Sequence, residues 1–257
     1  MAHQARALVT SKWLAEAAKA QGKVRVLDTS WYLPKLRRNE AFADYAGDLG
    51  VGGDTHVVVY DASEFGAFSA PRVWWMFRAF GHGAVSLLDG GLRGWLREGR
   101  PVSDARVRPA PRRFQASLNR AWVRGYGQML DNLHAEEFQV VDARPTRRFR
   151  GLDAEPRDNT EPGHIPGSVS VPFDSFLSPS GHFLPREQLR ALFARAGVDL
   201  RRPLCASCGS SVTACHVALA AHECGHPGVS VYDGGWSEWY ARAAPEHVVS
   251  EGRGKRL

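Results

Sequence analysis

The sequence predicts an α/β protein made of two similar units in tandem, each a parallel sheet flanked by helices. Short apolar runs, typical of buried strands, alternate along the chain with helical patterns. The chain also repeats itself, because residues 80–91 correspond to residues 224–235 and both stretches end in Asp-Gly-Gly. A chain of 257 residues is long enough for two domains of ordinary size.

The first unit is shorter than the second. Asp28, at the end of an apolar run, corresponds to Asp142, which lies 114 residues further along the chain. Asp89 and Asp233, in the later part of the repeat, are 144 residues apart, so the two offsets differ by 30 residues. The first unit therefore lacks a segment of about 30 residues between Asp28 and Asp89.

The missing segment can be located by comparing the two units. Residues 163–173 of the second unit, a turn followed by a parallel strand, have no counterpart in the first unit. The gap falls between about Arg38 and Asn39. We therefore expect an incomplete N-terminal sheet that is one strand short or rebuilt.

These comparisons suggest three regions. Residues 1–104 form a shortened N-terminal domain, residues 105–119 a linker rich in Pro and Arg, and residues 120–257 a C-terminal domain. At the position where the second unit has Cys208, the first unit has Glu64. We therefore expect thiol chemistry in the C-terminal domain and a non-catalytic N-terminal domain.

Composition narrows the class of protein. Hydrophobic content of 44% and charged content of 23% are ordinary for a soluble globular protein, and no apolar run approaches the length of a membrane span. The formal net charge of +6 favours anionic partners weakly, and no nucleic-acid-binding motif accompanies it. We expect small anionic substrates rather than nucleic acid or membrane, and a protein that is a monomer or a weak homodimer.

The four cysteines all lie between Cys205 and Cys224, which is not the pattern of a disulfide framework. A reducing compartment, the cytoplasm or the mitochondrion, fits this usage. Cys205 and Cys208 form a Cys-x-x-Cys pair, but the second pair that a zinc site needs is missing. A redox dithiol is disfavoured because Cys205 falls inside a strand pattern. We expect no metal and no cofactor.

One loop carries the strongest chemical signal. An apolar run at residues 203–207 and a helical pattern at residues 217–221 enclose residues 208–213, which we term the cysteine loop. Main-chain amides of residues 209–213 can surround the Cys208 sulfur, and such donors next to a helix start favour an ionised thiol. Cys208 is therefore a candidate nucleophile. The alternative is a buried apolar cysteine at a strand end, the commoner role of cysteine in general.

The cysteine loop, Cys-Gly-Ser-Ser-Val-Thr, is similar to the active-site loop of the rhodanese superfamily. Within it, the loop most resembles the 3-mercaptopyruvate sulfurtransferase family, whose loop reads Cys-Gly-Ser-Gly-Val-Thr, whereas thiosulfate sulfurtransferases have Cys-Arg-Lys-Gly-Val-Thr. The resemblance runs from about Ala5 to Lys255. It implies two tandem rhodanese-like domains, of which the N-terminal one is incomplete.

The resemblance also implies an activity. Cys208 would take sulfur from 3-mercaptopyruvate as a persulfide, release pyruvate and pass the sulfur to cyanide or to a thiol acceptor such as thioredoxin. Arg148 and Arg157 correspond to the family's two substrate arginines, while Arg147 and Arg150 are expected to be solvated charges. The residues that would hold the persulfide are Gly209, Ser211, Val212 and Thr213.

Two features depart from the family pattern. Ser210 corresponds to a loop serine of a Ser-His-Asp relay, but the His and Asp of that relay belong to the segment missing here. His164 lies in the equivalent motif of the other unit, where a structural role is expected. Ser211 replaces a glycine, which would cost about 1 kcal/mol if the loop requires a positive φ at this position.

These departures leave two alternatives beside a 3-mercaptopyruvate sulfurtransferase of reduced activity. One is a thiosulfate:cyanide sulfurtransferase, which is disfavoured because Gly209 and Ser210 stand where that enzyme has two basic residues. The other is a catalytically impaired member of the family that acts as a binding protein.

Overall fold

The computed structural model describes residues 5–19, 23–30, 39–105 and 107–255. The chain divides into two compact units. The first comprises Met1–Asn119 and Leu177–Phe183, and the second comprises Arg120–Phe176 and Leu184–Leu257. Each unit contains a parallel sheet with helices packed on it, which confirms the predicted α/β class.

The first unit contains, in the described residues, four strands and four helices: β1 (Leu8–Val9), α1 (Ser11–Lys19), β2 (Val24–Asp28), α2 (Asn39–Asp48), β3 (His56–Tyr60), α3 (Ala70–Ala79), β4 (Val85–Leu88) and α4 (Gly91–Arg97). The strand order in the sheet is β1-β4-β3-β2, and every pair is parallel. β4 is buried along its whole length, as its four apolar or small side chains predict.

The described part of the predicted linker, residues 105–119 without residue 106, belongs to this first unit. The Arg112 amide donates a hydrogen bond to the Gly47 carbonyl (2.9 Å), and the Asn119 amide donates one to the Ala79 carbonyl (2.7 Å). The buried Phe114 ring packs edge-on against Phe42. Main-chain bonds and an aromatic contact therefore fix this stretch to the domain that precedes it.

Over its described residues, the second unit contains five strands and five α-helices: β5 (Val123–Arg124), α5 (Tyr126–Ala135), β6 (Gln139–Asp142), α6 (Thr146–Arg150), β7 (Val169–Ser170), α7 (Arg186–Arg195), β8 (Leu204–Ser207), α8 (Ala214–Glu223), β9 (Ser230–Tyr232) and α9 (Gly235–Arg242). Short 3-10 turns cover Arg120–Trp122, Phe173–Phe176 and Pro245–His247. Its core includes Met129, Cys205, Trp236 and Trp239.

The strand order of the second sheet, β5-β9-β8-β6-β7, places β8 at the centre. Strands β6 and β8 are neighbours in this sheet. The strand that follows β6 in the chain, β7, lies on one side of the pair, and the strand that follows β8, which is β9, lies on the other side. In open α/β sheets the carboxyl ends of such a pair of strands are where ligands usually bind. In the register of the sheet Asp142 lies opposite Ser207, so the residues that follow β6 and β8 meet at this edge.

Among the described residues the two sheets differ by one strand, the difference that the repeat predicted. In the described residues the first sheet has no counterpart of β7, which pairs with β6 through Val141 and Val169. The predicted gap begins at Arg38, outside the described residues. Across the described ranges, no helix combines the length and the apolar character needed to cross a membrane.

Candidate active site

Cys208 lies directly after the central strand β8 and is 2% exposed. Its carbonyl accepts a hydrogen bond of 2.7 Å from the amide of Trp236, at the start of α9. Within residues 107–255, which are described without a gap, no hydrogen bond reaches the Cys208 Sγ atom. The ring of amides around the sulfur therefore stays a prediction, while the position of Cys208 at the ligand-binding edge of the sheet is a feature of the fold.

The cysteine loop leads into α8 through one turn. The Val212 carbonyl accepts from the amide of Cys215 (3.2 Å), and the Thr213 carbonyl accepts from the amide of His216 (3.1 Å). Ser211 has φ 69°, so this position does have the positive φ that would favour glycine. Ser210 is half-buried, and its hydroxyl makes no hydrogen bond to the described residues.

Arg148, on α6, points its guanidinium toward this loop. A Cβ atom built on Gly209 would lie 3.3 Å from the Arg148 Nη2 atom. Arg148 Nε donates to Glu155 Oε1 (3.2 Å), and its Nη2 donates to Glu155 Oε2. These bonds leave the Arg148 Nη1 group unused, and the side chain is 22% exposed. Arg148 thus presents a partly exposed positive charge next to the cysteine loop.

Arg157 reaches the same loop through a serine. Its Nη1 atom donates a hydrogen bond to Ser237 Oγ (2.9 Å), and this hydroxyl in turn donates to the Gly209 carbonyl (2.9 Å). Arg157 is exposed, so the rest of its guanidinium can bind a ligand. Three separate stretches of sequence that contain Cys208, Arg148 and Arg157 therefore come together at one place in the second unit.

A buried ionic cluster beneath Arg148 was not identified from the sequence. Arg144 is 1% exposed and forms charged hydrogen bonds to Asp142 (2.6 Å) and to Glu155 (2.9 Å). Burial alone would lower the pKa of Arg144, but the two carboxylates outweigh it and raise the pKa above its ordinary value. Glu155, with its side chain only 4% exposed, is therefore held between Arg144 and Arg148.

The other basic residues of this stretch behave as predicted for solvated charges. Arg147 is 64% exposed and pairs with Asp153 on the surface. Arg150 pairs with Glu251, also at an exposed position. His164 stacks on Phe149 with ring centroids 3.9 Å apart, and its Nδ1 bonds to the Phe149 carbonyl (2.8 Å), a packing role.

The site combines a thiol with two guanidinium groups. A thiolate is a strong nucleophile, and guanidinium groups bind carboxylates and other planar anions well. This arrangement suits the attack of Cys208 on a small anionic molecule. The carboxylates nearby, Asp142 and Glu155, are already paired with Arg144, so they do not repel such a ligand as free charges would.

Comparisons with known proteins identify the family of the chain. The sequence pattern of the Rhodanese-like domain matches residues 23–98 and residues 126–242. The chain is 52% identical to 3-mercaptopyruvate sulfurtransferase from Homo sapiens, over 97% of each chain. It is 48% identical to thiosulfate sulfurtransferase from Bos taurus, over 99% of each chain.

A solved structure shows the same fold. The chain is similar to SseA from Escherichia coli, described as a 3-mercaptopyruvate sulfotransferase with the rhodanese fold. The TM-score is 0.76 and the identity 32%, over 91% of this chain and all of SseA.

The alignment to the human relative is longer than this chain. It spans 288 positions, which is 31 more than the 257 residues of this chain, so at least that many positions of the relative face gaps here. On its matched domains and its near full-length relatives, this chain belongs to the rhodanese family.

Proposed function

We propose that this protein is a sulfurtransferase that takes sulfur from 3-mercaptopyruvate through a persulfide on Cys208. It releases pyruvate and passes the sulfur to cyanide or to a thiol acceptor such as thioredoxin. The observation that supports this most is that Arg148 and Arg157 both reach the loop that begins at Cys208.

The first half of the reaction forms the persulfide. The Cys208 thiolate attacks the sulfur of 3-mercaptopyruvate, and the carbon–sulfur bond breaks. Its electron pair stays on carbon as the enolate of pyruvate, which then takes a proton. Arg148 and Arg157 bind the carboxylate and the ketone oxygen, and their positive charge stabilises the enolate as it forms.

The second half returns the enzyme to its starting state. The acceptor thiolate attacks the outer sulfur of the persulfide, and the sulfur–sulfur bond breaks with its electron pair on Cys208. Gly209, Ser211, Val212 and Thr213 form the loop that holds the persulfide. Ser210 assists proton transfer from its half-exposed position. Without the His and Asp of the family's relay, the rate is expected to fall below that of complete relatives.

We assign this chemistry to residues 120–257 and a non-catalytic role to residues 1–104, with residues 105–119 between them. All four cysteines are free and buried, and we place the protein in the cytoplasm or the mitochondrion, where thiols stay reduced. In solution we expect a monomer or a weak homodimer.

The persulfide can be tested without an acceptor. After exposure to 3-mercaptopyruvate alone, the intact protein should gain the mass of one sulfur atom, and cyanide should remove it. Cys208→Ser should gain none, whereas the matched control Cys224→Ala should be labelled like the wild type. Burial raises the pKa of Cys205 to about 12 and also raises that of Cys224, so both remain unreactive thiols near neutral pH. Labelling that persists in Cys208→Ser would place the sulfur elsewhere.

A further inference from the structure

Ser211 stands at an unusual position for a side chain. It is one of three non-glycine residues in the described part of the chain with φ in the left-handed region, together with Glu136 and Asn159. Those two residues are exposed, whereas Ser211 is completely buried. A buried serine in this conformation needs a compensating interaction, because its Cβ crowds the backbone there.

The structure supplies such an interaction. The Ser211 hydroxyl donates a hydrogen bond of 2.5 Å to the carbonyl of Tyr232, the last residue of β9. The Ser211 carbonyl accepts a weaker bond from the Cys215 thiol, with Sγ and O 3.4 Å apart. Glycine, which the related loops have here, allows the same φ but offers no side-chain donor. In this chain a side-chain hydrogen bond therefore holds the turn.

The bond joins the cysteine loop to residues 232–237, a segment that already supports the loop through main-chain hydrogen bonds. Downstream of Tyr232, the Trp236 amide donates to the Cys208 carbonyl (2.7 Å), and the Ser237 amide donates to the Gly209 carbonyl (3.2 Å). Ser211 adds a third attachment, from the loop to the same segment. Together they fix the loop at its first, second and fourth residues.

We propose that Ser211 is a positioning residue for Cys208, which acts through its hydrogen bond to the Tyr232 carbonyl. The bond keeps the left-handed turn closed, and the closed turn keeps the cysteine loop, which begins at Cys208, in place beside Arg148. This inference deepens the proposed function, on which it rests. It assigns to the serine a role that the family's glycine fills without a side chain.

Two substitutions separate the bond from the backbone conformation. Ser211→Ala removes the donor but keeps the Cβ atom that disfavours the turn, so kcat should fall about tenfold and the rate of Cys208 alkylation by iodoacetamide should fall with it. Ser211→Gly also removes the donor but adopts the turn freely, so kcat and the rate of Cys208 alkylation should fall less than they do in Ser211→Ala. A role in packing alone would change the melting temperature of both variants without changing the alkylation rate.

Two results with these variants would overturn the proposal. Wild-type values of kcat and of the alkylation rate in Ser211→Ala would overturn it. Equal losses in both variants would also overturn it, because the hydroxyl would then act in the chemistry itself. If Ser211→Ala does not fold, Ser211→Cys replaces it in the kcat measurement, since a thiol is a weaker donor, and a smaller loss is expected. The alkylation measurement needs no turnover, so it tests Ser211 even if 3-mercaptopyruvate is not the substrate.

Discussion

Two adjacent arginines on α6 show how much environment changes the role of a residue. Arg147 is exposed and pairs with Asp153 at the surface, where such pairs contribute little to stability. Arg148 is held by Glu155, whose carboxylate is almost fully buried and is also bound by Arg144. The guanidinium of Arg148 is therefore fixed beside the cysteine loop before any ligand arrives, and a fixed cation loses little entropy when it binds an anion.

This difference predicts the behaviour of a matched pair of variants. Arg148→Gln should raise KM for 3-mercaptopyruvate roughly tenfold to a hundredfold, because a charged hydrogen bond is worth about 1.5–3 kcal/mol. Arg147→Gln, one residue away on the same helix, should leave KM within about twofold. Steady-state kinetics on both variants would check this, and equal effects on KM would show that net charge, rather than the placement of Arg148, governs binding.

At this scale the sequence could identify only part of the site. Cys208, Arg148 and Arg157 are candidates because each stands at a recognisable motif position, and the structure brings the three stretches that contain them together. Arg144, Glu155 and Ser237 could not, since nothing in the sequence shows which of the 33 lysines and arginines is buried, or which hydroxyl joins Arg157 to the loop. Those roles depend on tertiary contacts between residues far apart in the chain.

At the scale of elements, the loops that follow β3 and β8 differ in what they enclose. In the first unit the loop closes around its own carboxylate. Asp61 is buried and accepts hydrogen bonds from the amides of Phe68 (2.8 Å), Ser69 (2.9 Å) and Ala70 (2.8 Å). An anion built into the chain thus uses the amide donors of this loop, which fits the non-catalytic role proposed for residues 1–104.

Asp61→Asn should therefore destabilise the first unit by about 2 kcal/mol, through the loss of charged hydrogen bonds. The exposed Asp44, on α2, provides the control, and Asp44→Asn should change stability by less than about 0.5 kcal/mol. Urea unfolding followed by tryptophan fluorescence would measure both. Equal stability of the two variants would contradict the structural role of Asp61.

The same carboxylate predicts a pH dependence. Burial alone would raise the pKa of Asp61, but hydrogen bonds from the amides of Ala70 and Phe68 and from Ser63 outweigh it and lower the pKa. A lowered pKa in the folded state stabilises the fold fully above the unfolded value, near 3.9, and this stability is lost as the pH falls through the folded pKa. The destabilisation caused by Asp61→Asn should therefore shrink in strongly acidic solution.

At the scale of the whole molecule, the internal repeat predicted more of the architecture than the alternation of apolar runs and helical patterns did. The offset between its landmarks indicated a shorter first unit, and the first sheet has four strands in the described residues where the second has five. The sequence did not predict that Leu177–Phe183, in the C-terminal half, belongs to the first unit. There the Phe183 amide donates to Asp89 Oδ1 (2.8 Å), a contact between residues that no local pattern connects.

The central claim is that Cys208 carries sulfur despite the missing segment. The most direct measurement is sulfide release from 3-mercaptopyruvate with a dithiol acceptor, for the wild type beside Cys208→Ser. We expect turnover in the wild type, at a rate below that of complete relatives, and none in Cys208→Ser. No turnover in a wild-type protein that unfolds cooperatively would contradict the account, and so would equal turnover in the two proteins.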